Sequence, residues 1–502
     1  MINLDKVYLL NPHYHLRHDI HRVVLFSRGG TDQDCSRNWQ TFIHPLQAAL
    51  LSFFTHNRTI RETLPLLCDY FCKSPRTIEK WVAEFIENPQ PIYTNSQQGR
   101  IYFPKRVLIE AEKAEGNLRF DRLDADSFIW KKLDLKTRRL YTGLAIVTFM
   151  LTNRCITHCR YCYADTSTIA DTPLPTGRIM ELIDEAAQIQ VRQVNLIGGE
   201  VFLHKDWQSV LKKLVELDIA PEYISTKMPM NSERIAALTD IGYRGTIQVS
   251  LDACDEIVLQ TSIGTRKGYT EAVLEGLQML DESSLDYQVS SVLTTYNCDI
   301  GVLARMLQKL TTLKRIRDWR IVPVSNSITK EINEFICLKP KQEQIATLFK
   351  QMRPLMAQHS SFPIILGEET MNKQFGKTEG GSCNFSGSEC SALTTHLFIL
   401  PDGQATICEQ LYWNPHFIIG DVGRNSLKEV WNSQRALQLY NLTRSDISTR
   451  SQCHKCALFD SCFGYQNRCW SDIIKAYGAD CWDFPDPRCK FAPEMKNRLD
   501  YE

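Results

Sequence analysis

Between residue 142 and about residue 330, short apolar runs alternate with longer segments whose apolar residues recur every three or four positions. The short runs are typical of buried strands, and the longer segments are typical of amphipathic helices. Six units of this kind predict an α/β fold with a parallel sheet, either doubly wound or closed into a partial barrel. The predicted strands are LAIVTFMLT, QVNLIGG, EYISTK, TIQVSLDA, YQVSSVLT and WRIVPVS.

Residues 1–117 have a different pattern, which predicts a separate small domain of the winged-helix type. The strand-like runs VYLLNPHYHLR, HRVVLFSR and RIYFPKRVLIE frame three segments with helical apolar spacing. Thr59 and the pair Ser74-Pro75 are suitable first residues for two of these helices. Helix-turn-helix arrangements often bind DNA, but residues 75–88 carry three glutamates beside two basic residues. A recognition helix should be more basic, so we do not expect DNA binding.

The remaining segments predict a connector at 118–141, a partly helical bridge at 331–380 and a cysteine-rich domain at 381–502. Lys+Arg and Asp+Glu both number 58, so no overall field attracts the chain to nucleic acid or membrane. No stretch has the length and apolar character of a transmembrane helix, and the N-terminus lacks a signal-peptide pattern. We therefore expect a cytoplasmic protein with neither nucleic acid nor membrane as a partner.

The positions of the cysteines indicate the chemistry of the chain. Nine of the 18 cysteines lie between Cys383 and Cys489, and three others form the motif Cys155-x3-Cys159-x2-Cys162 after the first strand. Without an export signal, such groups indicate metal sites more than disulfides. Three thiolates in one loop leave one iron of a [4Fe–4S] cluster open to a chelating substrate. A zinc site is the alternative, but structural zinc takes four protein ligands.

A CxxxCxxC motif that follows the first strand resembles the signature of the radical SAM superfamily. The resemblance covers roughly residues 142–330. The resemblance implies that the amino and carboxylate groups of S-adenosylmethionine bind the open iron. Electron transfer then yields methionine and a 5′-deoxyadenosyl radical, which takes a hydrogen atom from an unactivated carbon. The protein supplies placement and a dry cavity.

The same resemblance implies contacts to S-adenosylmethionine at the carboxyl ends of the strands, where such folds build active sites. The motif Gly198-Gly199-Glu200 would hold the methionine amine, and Tyr161 would flank the adenine. The run Ser225-Thr226-Lys227 stands where relatives have Ser-Thr-Asn against the ribose. Further implied contacts are Ser250 and Asp252, with Arg266 as a displaced candidate for the carboxylate.

On spacing alone, the C-terminal cysteines fit two four-thiolate clusters or two structural zinc sites. The region resembles the SPASM extension of peptide-modifying radical SAM enzymes through ILPDGQATIC, DVGRNSLKEVW and Asp486-Pro-Arg-Cys489. The resemblance implies two auxiliary clusters and therefore three [4Fe–4S] clusters in all. The implied ligands are Cys383, Cys390, Cys408 and Cys469 for the first, and Cys453, Cys456, Cys462 and Cys489 for the second; Cys481 is left over and is an alternative to Cys489.

Together these resemblances imply a partial (β/α)6 radical SAM barrel between a winged-helix-like domain and a cysteine-rich SPASM iron–sulfur domain. The N-terminal pattern resembles domains that bind the leader of a ribosomally made precursor peptide by strand addition. We expect a peptide maturase, with a thioether as the first guess and a carbon–carbon or cyclophane cross-link or an epimerisation next. A flavodoxin or ferredoxin would donate electrons.

Two other functions stay open. A formylglycine-generating maturase of the sulfatase type is possible, although such enzymes generally need no leader-binding domain. A non-enzymatic metal-cluster scaffold with a DNA- or protein-binding head is the second alternative. In sulfatase-type relatives an acid directly after the equivalent of Cys408 acts as the base. Glu409 holds that position here, although a solvated surface role is the simpler interpretation.

Overall fold

The computed structural model describes residues 2–27, 40–96, 98–114, 122–166, 168, 172–330, 332–367, 390–464, 468–497 and 499. Cys383, a predicted cluster ligand, lies outside these ranges. The chain divides into two compact units, Met1–Ala145 and Ile146–Glu502. In the part of the chain that the structure describes, no helix combines the length and apolar character needed to span a membrane.

The first unit combines three small antiparallel sheets with three helices. Strands β2, β3 and β4 form one sheet in that order, β5 pairs with β6, and β1 pairs with β7. The strands are β1 Tyr8–Leu10, β2 Tyr14–His18, β3 Val23–Ser27, β4 Gln40–Ile43, β5 Ile92–Ser96, β6 Gly99–Phe103 and β7 Leu108–Glu110. The helices are α1 Pro45–Ser52, α2 Ile60–Phe71 and α3 Pro75–Ala83.

The predicted helix starts are confirmed. Thr59 caps α2, and its side chain and that of Glu62 exchange hydrogen bonds with each other's backbone N–H groups. Ser74 is the N-cap of α3, with Pro75 in its first turn. Both helices bury an apolar face in the core of the unit, through Leu67 of α2 and Val82 of α3.

Two of the predicted strands are each divided by a turn. After β1, the Asn11 side chain accepts a hydrogen bond from His13 N at 3.1 Å, which turns the chain before β2. The corresponding break between β6 and β7 contains Arg106, whose φ of 53° is left-handed. The Asn11 amide donates to the Arg106 carbonyl oxygen at 3.1 Å, so the two turns hold each other.

The segment predicted as a connector, 118–141, contributes to the first unit itself. Ala125 and Phe128 belong to the unit's hydrophobic core. The fully buried pair of Asp19 and Arg22, with 2.9 Å between carboxylate and guanidinium, also binds this segment. Asp19 accepts from Tyr141 N at 2.8 Å, and Arg22 donates to the Arg139 carbonyl at 2.7 Å. These bonds explain why the compact unit extends to residue 145.

All six strands predicted for the second unit are present. Strands β10 to β14 form a parallel sheet in sequence order, and β8 pairs in parallel with β9. The strands are β8 Ile146–Met150, β9 Gln193–Ile197, β10 Tyr223–Thr226, β11 Thr246–Ser250, β12 Tyr287–Leu293, β13 Trp319–Pro323, β14 Ile364–Leu366, β15 His396–Ile399, β16 Gln404–Thr406 and β17 Ile418–Asp421.

The helices between these strands agree with the predicted alternation. They are α4 Thr176–Gln188, α5 Trp207–Glu216, α6 Ser232–Ile241, α7 Glu256–Ile263, α8 Tyr269–Glu282, α9 Ile300–Leu310, α10 Ile332–Leu338, α11 Gln342–His359, α12 Leu427–Trp431, α13 Gln434–Tyr440, α14 Phe459–Gly464 and α15 Trp470–Tyr477. The α/β class with a C-terminal cysteine-rich part is confirmed.

Two strands outside the predicted barrel segment lengthen its sheets. The bridge contains the predicted helix, α11, but it also supplies β14, which pairs with β13. From the cysteine-rich part, β15 pairs in parallel with β8 and continues into the predicted hairpin with β16. Gly403 lies in the hairpin turn with a φ of 88°, which glycine adopts without strain. The cysteine-rich part therefore shares a sheet with β8, the strand that leads into the loop of Cys155.

Candidate active site and cysteine clusters

The loop after β8 brings the first three predicted ligands together. The Thr157 hydroxyl oxygen lies 3.4 Å from Cys155 Sγ and 3.3 Å from Cys159 Sγ. Desolvation raises the pKa of the Cys159 thiol, and the neighbouring Cys155 raises it further. Burial also raises the pKa of Cys162 to about 11, with contributions from both other cysteines. Three neighbouring thiols in one loop are the donor set that a three-ligand iron–sulfur cluster requires.

Backbone hydrogen bonds hold this loop against the end of α7. His158 N donates to the Ile263 carbonyl at 2.8 Å, and Arg160 N donates to the Ser262 carbonyl at 3.1 Å. The Arg160 guanidinium also pairs with Glu334 at 3.2 Å. The loop is thus positioned by main-chain contacts, which do not depend on the cysteine side chains.

Gly198 and Gly199 pack directly against the chain that leads into Cys155. A Cβ at Gly198 would lie 2.6 Å from the Thr152 carbonyl oxygen, and one at Gly199 would lie 2.3 Å from that of Arg154. Gly199 N donates to the Thr152 carbonyl at 2.8 Å. These glycines therefore allow two backbone segments to approach each other beside the cysteine loop.

Glu200, implied as a contact to the methionine amine, makes a different set of contacts. Its carboxylate is 2% exposed and accepts bonds from the Thr226 hydroxyl at 3.0 Å, from Lys227 N at 3.0 Å and from Met228 N at 3.2 Å. Burial raises its pKa, although these donors act in the opposite direction. Most of the acceptor capacity of a carboxylate is thereby used in joining the end of β9 to the end of β10. Thr226, implied at the ribose, likewise points to Glu200.

Tyr161 and Asp252 are brought together, with Lys227 beside them. The Tyr161 hydroxyl donates to Asp252, and Lys227 Nζ lies 3.3 Å from the same carboxylate. Val292 N donates to its other oxygen at 2.9 Å. Burial disfavours the Lys227 charge, but Asp252 and its other neighbours outweigh this and raise the pKa of Lys227 well above its usual value. A buried cation therefore stands where relatives have asparagine, and it also acts on Cys159.

Ser225 and Ser250 lie on one polar face of the sheet. Their hydroxyl oxygens are 3.4 Å apart, and the Gln248 side chain donates to Ser225 at 3.0 Å. The Gln288 amide donates to Gln248 at 2.8 Å, which continues the polar row onto β12. Arg266, the displaced candidate, is exposed in the loop before α8.

Glu409 is half-buried, and desolvation raises its pKa. After desolvation, the Glu409 charge is the next largest contribution that raises the pKa of both Tyr163 and Tyr223. These tyrosines nevertheless keep 41% and 54% of their surfaces exposed. The structure thus leaves Glu409 half-buried, close enough to Tyr163 and Tyr223 for its charge to act on both.

Three ligands implied for the first auxiliary cluster are neighbours. Burial raises the pKa of Cys390 to about 12, with Cys469 as the next cause. Burial also raises the pKa of Cys408, followed by contributions that include Cys390 and Cys469. Their implied fourth partner, Cys383, lies outside the described residues.

The four ligands implied for the second auxiliary cluster line one small pocket; they are Cys453, Cys456, Cys462 and Cys489. Phe459, Phe463 and Arg468 also line this pocket. Four cysteines in one pocket wall, with Asp486 as the other lining residue of a metal-binding type, are the donor set of a closed iron–sulfur cluster. Cys481 instead belongs to a hydrophobic cluster with Ile473 and Tyr477. The structure therefore places Cys489, and not Cys481, at the pocket.

Two features of the site were not predicted. Lys227 is a buried cation whose partner, Asp252, is 25 positions away in sequence, and only the strand order brings them together. Arg468 is 2% exposed beside Cys469. A charged residue flanked by cysteines was visible in the sequence as a signal, but its burial was not.

Two family models match the chain. Residues 149–329 match the radical SAM superfamily, and residues 390–457 match the SPASM iron–sulfur cluster-binding domain. These matches cover the loop of Cys155, the glycine pair and the hairpin before Cys408. They imply iron–sulfur clusters and S-adenosylmethionine as cofactors, which the thiol groups described above fit.

Among curated proteins, the chain is 26% identical over 296 residues to a GTP 3′,8-cyclase of Limosilactobacillus fermentum, covering 57% of this chain and 83% of that one. It is 26% identical over 152 residues to the PqqA peptide cyclase of Rhodopseudomonas palustris, covering 30% of this chain and 40% of the cyclase.

Among solved structures, Streptococcus suis SuiB superposes with a TM-score of 0.62 at 15% identity, covering 96% of this chain and 99% of SuiB. SuiB bound to the precursor peptide SuiA gives a TM-score of 0.60 at 14% identity, covering 96% and 100%. These likenesses show a shared fold across both units. The two family matches identify residues 149–329 as a radical SAM domain and residues 390–457 as a SPASM iron–sulfur cluster-binding domain.

Proposed function

We propose that this enzyme is a peptide maturase that installs a cross-link in a ribosomally synthesised precursor peptide. The observation that carries the proposal is the pairing of a three-cysteine loop, held against Gly198 and Gly199, with two further thiol groups in the same compact unit. SuiB with its bound precursor peptide and the PqqA peptide cyclase support a peptide substrate.

In this proposal Cys155, Cys159 and Cys162 hold a [4Fe–4S] cluster with one open iron, where S-adenosylmethionine binds. When bound, these groups supply a 5′-deoxyadenosyl radical. The close backbone packing at Gly199 leaves the end of β9 able to approach the methionine moiety. Lys227 and Asp252 neutralise each other beside the loop, which keeps two buried charges compatible with a dry site.

The auxiliary clusters are proposed to use the implied ligands, with Cys383 completing the first set and Cys489 completing the second. Three [4Fe–4S] clusters correspond to about twelve iron atoms per chain. Electrons would come from a flavodoxin or ferredoxin.

The first unit is proposed to bind the leader of the precursor peptide. Its small antiparallel sheets offer backbone for strand addition, the mode by which extended peptides join a sheet. The exposed face of α3 mixes Arg76 and Lys80 with Glu79 and Glu84, so its charge does not favour a phosphate backbone.

Glu409 is proposed as the base for cross-linking. Joining a thiol to a carbon removes two hydrogens in total: one leaves as an atom with the 5′-deoxyadenosyl radical, and the other leaves as a proton and an electron. In this proposal Glu409 takes the proton, and burial supports the role because it raises the pKa of the carboxyl toward the working pH. The auxiliary clusters would accept the electron.

The first experiment measures 5′-deoxyadenosine formed by the anaerobically reconstituted, reduced protein. We expect turnover by the wild type and none by the variant with Cys155, Cys159 and Cys162 replaced by Ala, which should keep about two thirds of the iron. Turnover by that variant would contradict the proposal. Removing residues 1–145 should spare this uncoupled turnover and abolish peptide modification.

The second experiment identifies the bond. Incubation with candidate precursor peptides, followed by mass spectrometry, should show the loss of two hydrogen atoms and a cysteine that no longer reacts with iodoacetamide. The same loss with a free cysteine would indicate a carbon–carbon or cyclophane link. In D₂O, uptake of one deuterium with no other mass change would indicate epimerisation, and reaction with a hydrazide would indicate formylglycine.

Glu409→Gln tests the base. We expect all clusters and 5′-deoxyadenosine formation to persist, while cross-linked product falls by at least tenfold. Glu216→Gln is the matched control, because Glu216 is 62% exposed and pairs only with Lys212 in the next turn of α5. Product within a few-fold of wild type for Glu409→Gln would exclude it as the base.

A further inference from the structure

Arg468 is a buried cation in the wall of the second auxiliary pocket. Its side chain is 2% exposed, and it lines the same pocket as Cys453, Cys462 and Cys489. Its Nε and Nη1 atoms find no acceptor among the described residues. Two donor atoms of this buried guanidinium therefore lack a protein acceptor, while the same guanidinium makes a side-chain hydrogen bond with Cys453.

Neighbouring charges do not explain Arg468. Asp486 is the carboxylate that acts on it, but both Asp486 oxygens are taken by Arg488 at 2.8 Å, and one also accepts from Cys469 N at 2.7 Å. Arg488 has a second partner in Asp472, at 3.3 Å. The buried charges of Arg488, Asp486 and Asp472 thus form their own network, and Arg468 stands outside it.

Aromatic rings compensate Arg468 only in part. Its guanidinium carbon lies 3.5 Å from the centre of the Phe463 ring and 4.8 Å from that of Trp470. Stacking on rings offsets only part of the cost of burying a charge without an ion-pair partner. Among the described residues, the nearby carboxylate Asp486 is paired with Arg488, so an anion in the pocket would complete the site.

A cluster with four thiolate ligands would be that anion, and it gains one further negative charge on reduction. Hydrogen bonds to the sulfurs and nearby charge set the reduction potential of such clusters. Arg468 lines the pocket of the second set, so its charge acts on the cluster that this set would hold.

We infer that Arg468 is a positioning residue that donates its free N–H groups to the cluster held by Cys453, Cys456, Cys462 and Cys489, and that it stabilises the reduced form of that cluster. Arg468 thereby raises the reduction potential of this site. The inference rests on the ligand assignment proposed above. Iron and sulfide contents test that assignment separately.

The experiment is a redox titration of the reconstituted full-length protein, followed by electron paramagnetic resonance. Cys489→Ser removes one reduction step and thereby identifies the step of the second auxiliary site. For Arg468→Gln we expect that step to move to a more negative potential by at least a tenfold change in equilibrium constant, which is 59 mV for one electron. The potentials of the other two reduction steps should not change. Arg468→Lys keeps the charge, so its potential should lie close to that of the wild type.

Arg444→Gln is the matched control. Arg444 donates to the Cys456 carbonyl at 2.7 Å, but its side chain is 39% exposed and pairs with Asp460 at 3.6 Å. Solvent screens such a charge, so the step should move much less than in Arg468→Gln.

An unchanged step in Arg468→Gln with full iron content would overturn the inference, as would equal shifts in the Arg444 control. If Arg468→Gln loses iron from the site, Arg468→Lys distinguishes a role of the charge from a role in packing. Normal iron and potential in the lysine variant would support charge compensation, whereas iron loss there as well would show that Arg468 only packs the loop. A protein that never assembles the second cluster would refute the ligand assignment instead.

Discussion

Gly199→Ala is the sharpest test of how the fold builds the first cluster site. An added Cβ would lie 2.3 Å from the Arg154 carbonyl oxygen and 2.7 Å from that of Asn153. Real Cβ atoms essentially never approach another heavy atom within 3.0 Å, and here both neighbours are backbone. No side-chain rotation can relieve the overlap, so the end of β9 must move away from the loop that leads into Cys155.

The magnitude follows from the bonds across this contact. Gly199 N donates to the Thr152 carbonyl and Glu200 N to the Arg154 carbonyl, each at 2.8 Å. Losing both costs about 2 kcal/mol at about 1 kcal/mol per bond, before any strain is counted. Because 1.4 kcal/mol is a tenfold change in an equilibrium constant, the correctly formed site falls more than tenfold relative to displaced arrangements. Since the 2.3 Å overlap also excludes the wild-type arrangement itself, we expect 5′-deoxyadenosine formation to fall at least tenfold.

The assay compares 5′-deoxyadenosine formation with iron content in the same preparation. The auxiliary sites lie far along the chain, so at least two thirds of the iron should remain in Gly199→Ala. Gly177→Ala is the matched control, because an added Cβ in α4 meets nothing within 4 Å and alanine favours the helix by about 1 kcal/mol. Near-normal turnover by Gly199→Ala would refute the idea that this backbone contact shapes the site.

Three further outcomes follow from buried groups. Cys489→Ser should lose the iron of one cluster, whereas Cys481→Ser should keep it and lower the melting temperature, because a hydroxyl enters a hydrophobic cluster. Burial lowers the pKa of His396 to about 4, so between about pH 6.5 and pH 4 only the unfolded chain takes up the proton. The free energy of unfolding should therefore fall as the pH drops through this range. His396→Phe should flatten this trend in thermal melts at pH 7 and pH 5. Asp19→Asn should destabilise the first unit by about 3 kcal/mol in denaturant titration, because its fully buried arginine partner loses its counter-charge.

Much of the second unit could be predicted because its strands are short apolar runs between amphipathic helices. The six predicted strands are present, and the hairpin around Asp402-Gly403 forms as expected. Strand β14 was missed because its three residues follow the helical bridge and carry no periodic pattern of their own. Strand β15 was predicted as part of a hairpin, but its pairing with β8 is a contact over about 250 positions that no local pattern encodes.

In the first unit, the apolar runs of two predicted strands continued across turns. The pair Asn11-Pro12 is a turn signal within the predicted strand, and the Asn11 side chain makes the turn by accepting a hydrogen bond from His13 N. Likewise, the extent of the unit depends on the buried pair of Asp19 and Arg22, which binds residues more than 110 positions later. Whether a charge is buried depends on tertiary contacts. A charged segment is therefore predicted as a connector when its buried partner is not known.

The candidate site shows the same limit at the level of single side chains. The three cysteines of the first motif and the glycine pair could be brought together from spacing, because a loop of thiols and a close backbone approach need only local geometry. Glu200 and Asp252 could be placed at strand ends, but their partners could not be predicted from position. In the structure their oxygens are engaged by Thr226 and Lys227 from the neighbouring strand. These acids therefore join adjacent strands at the edge where the cysteine loop sits, so replacing either should disturb the site's shape before it removes a ligand contact. A loss of S-adenosylmethionine binding in such variants would not by itself identify a direct contact.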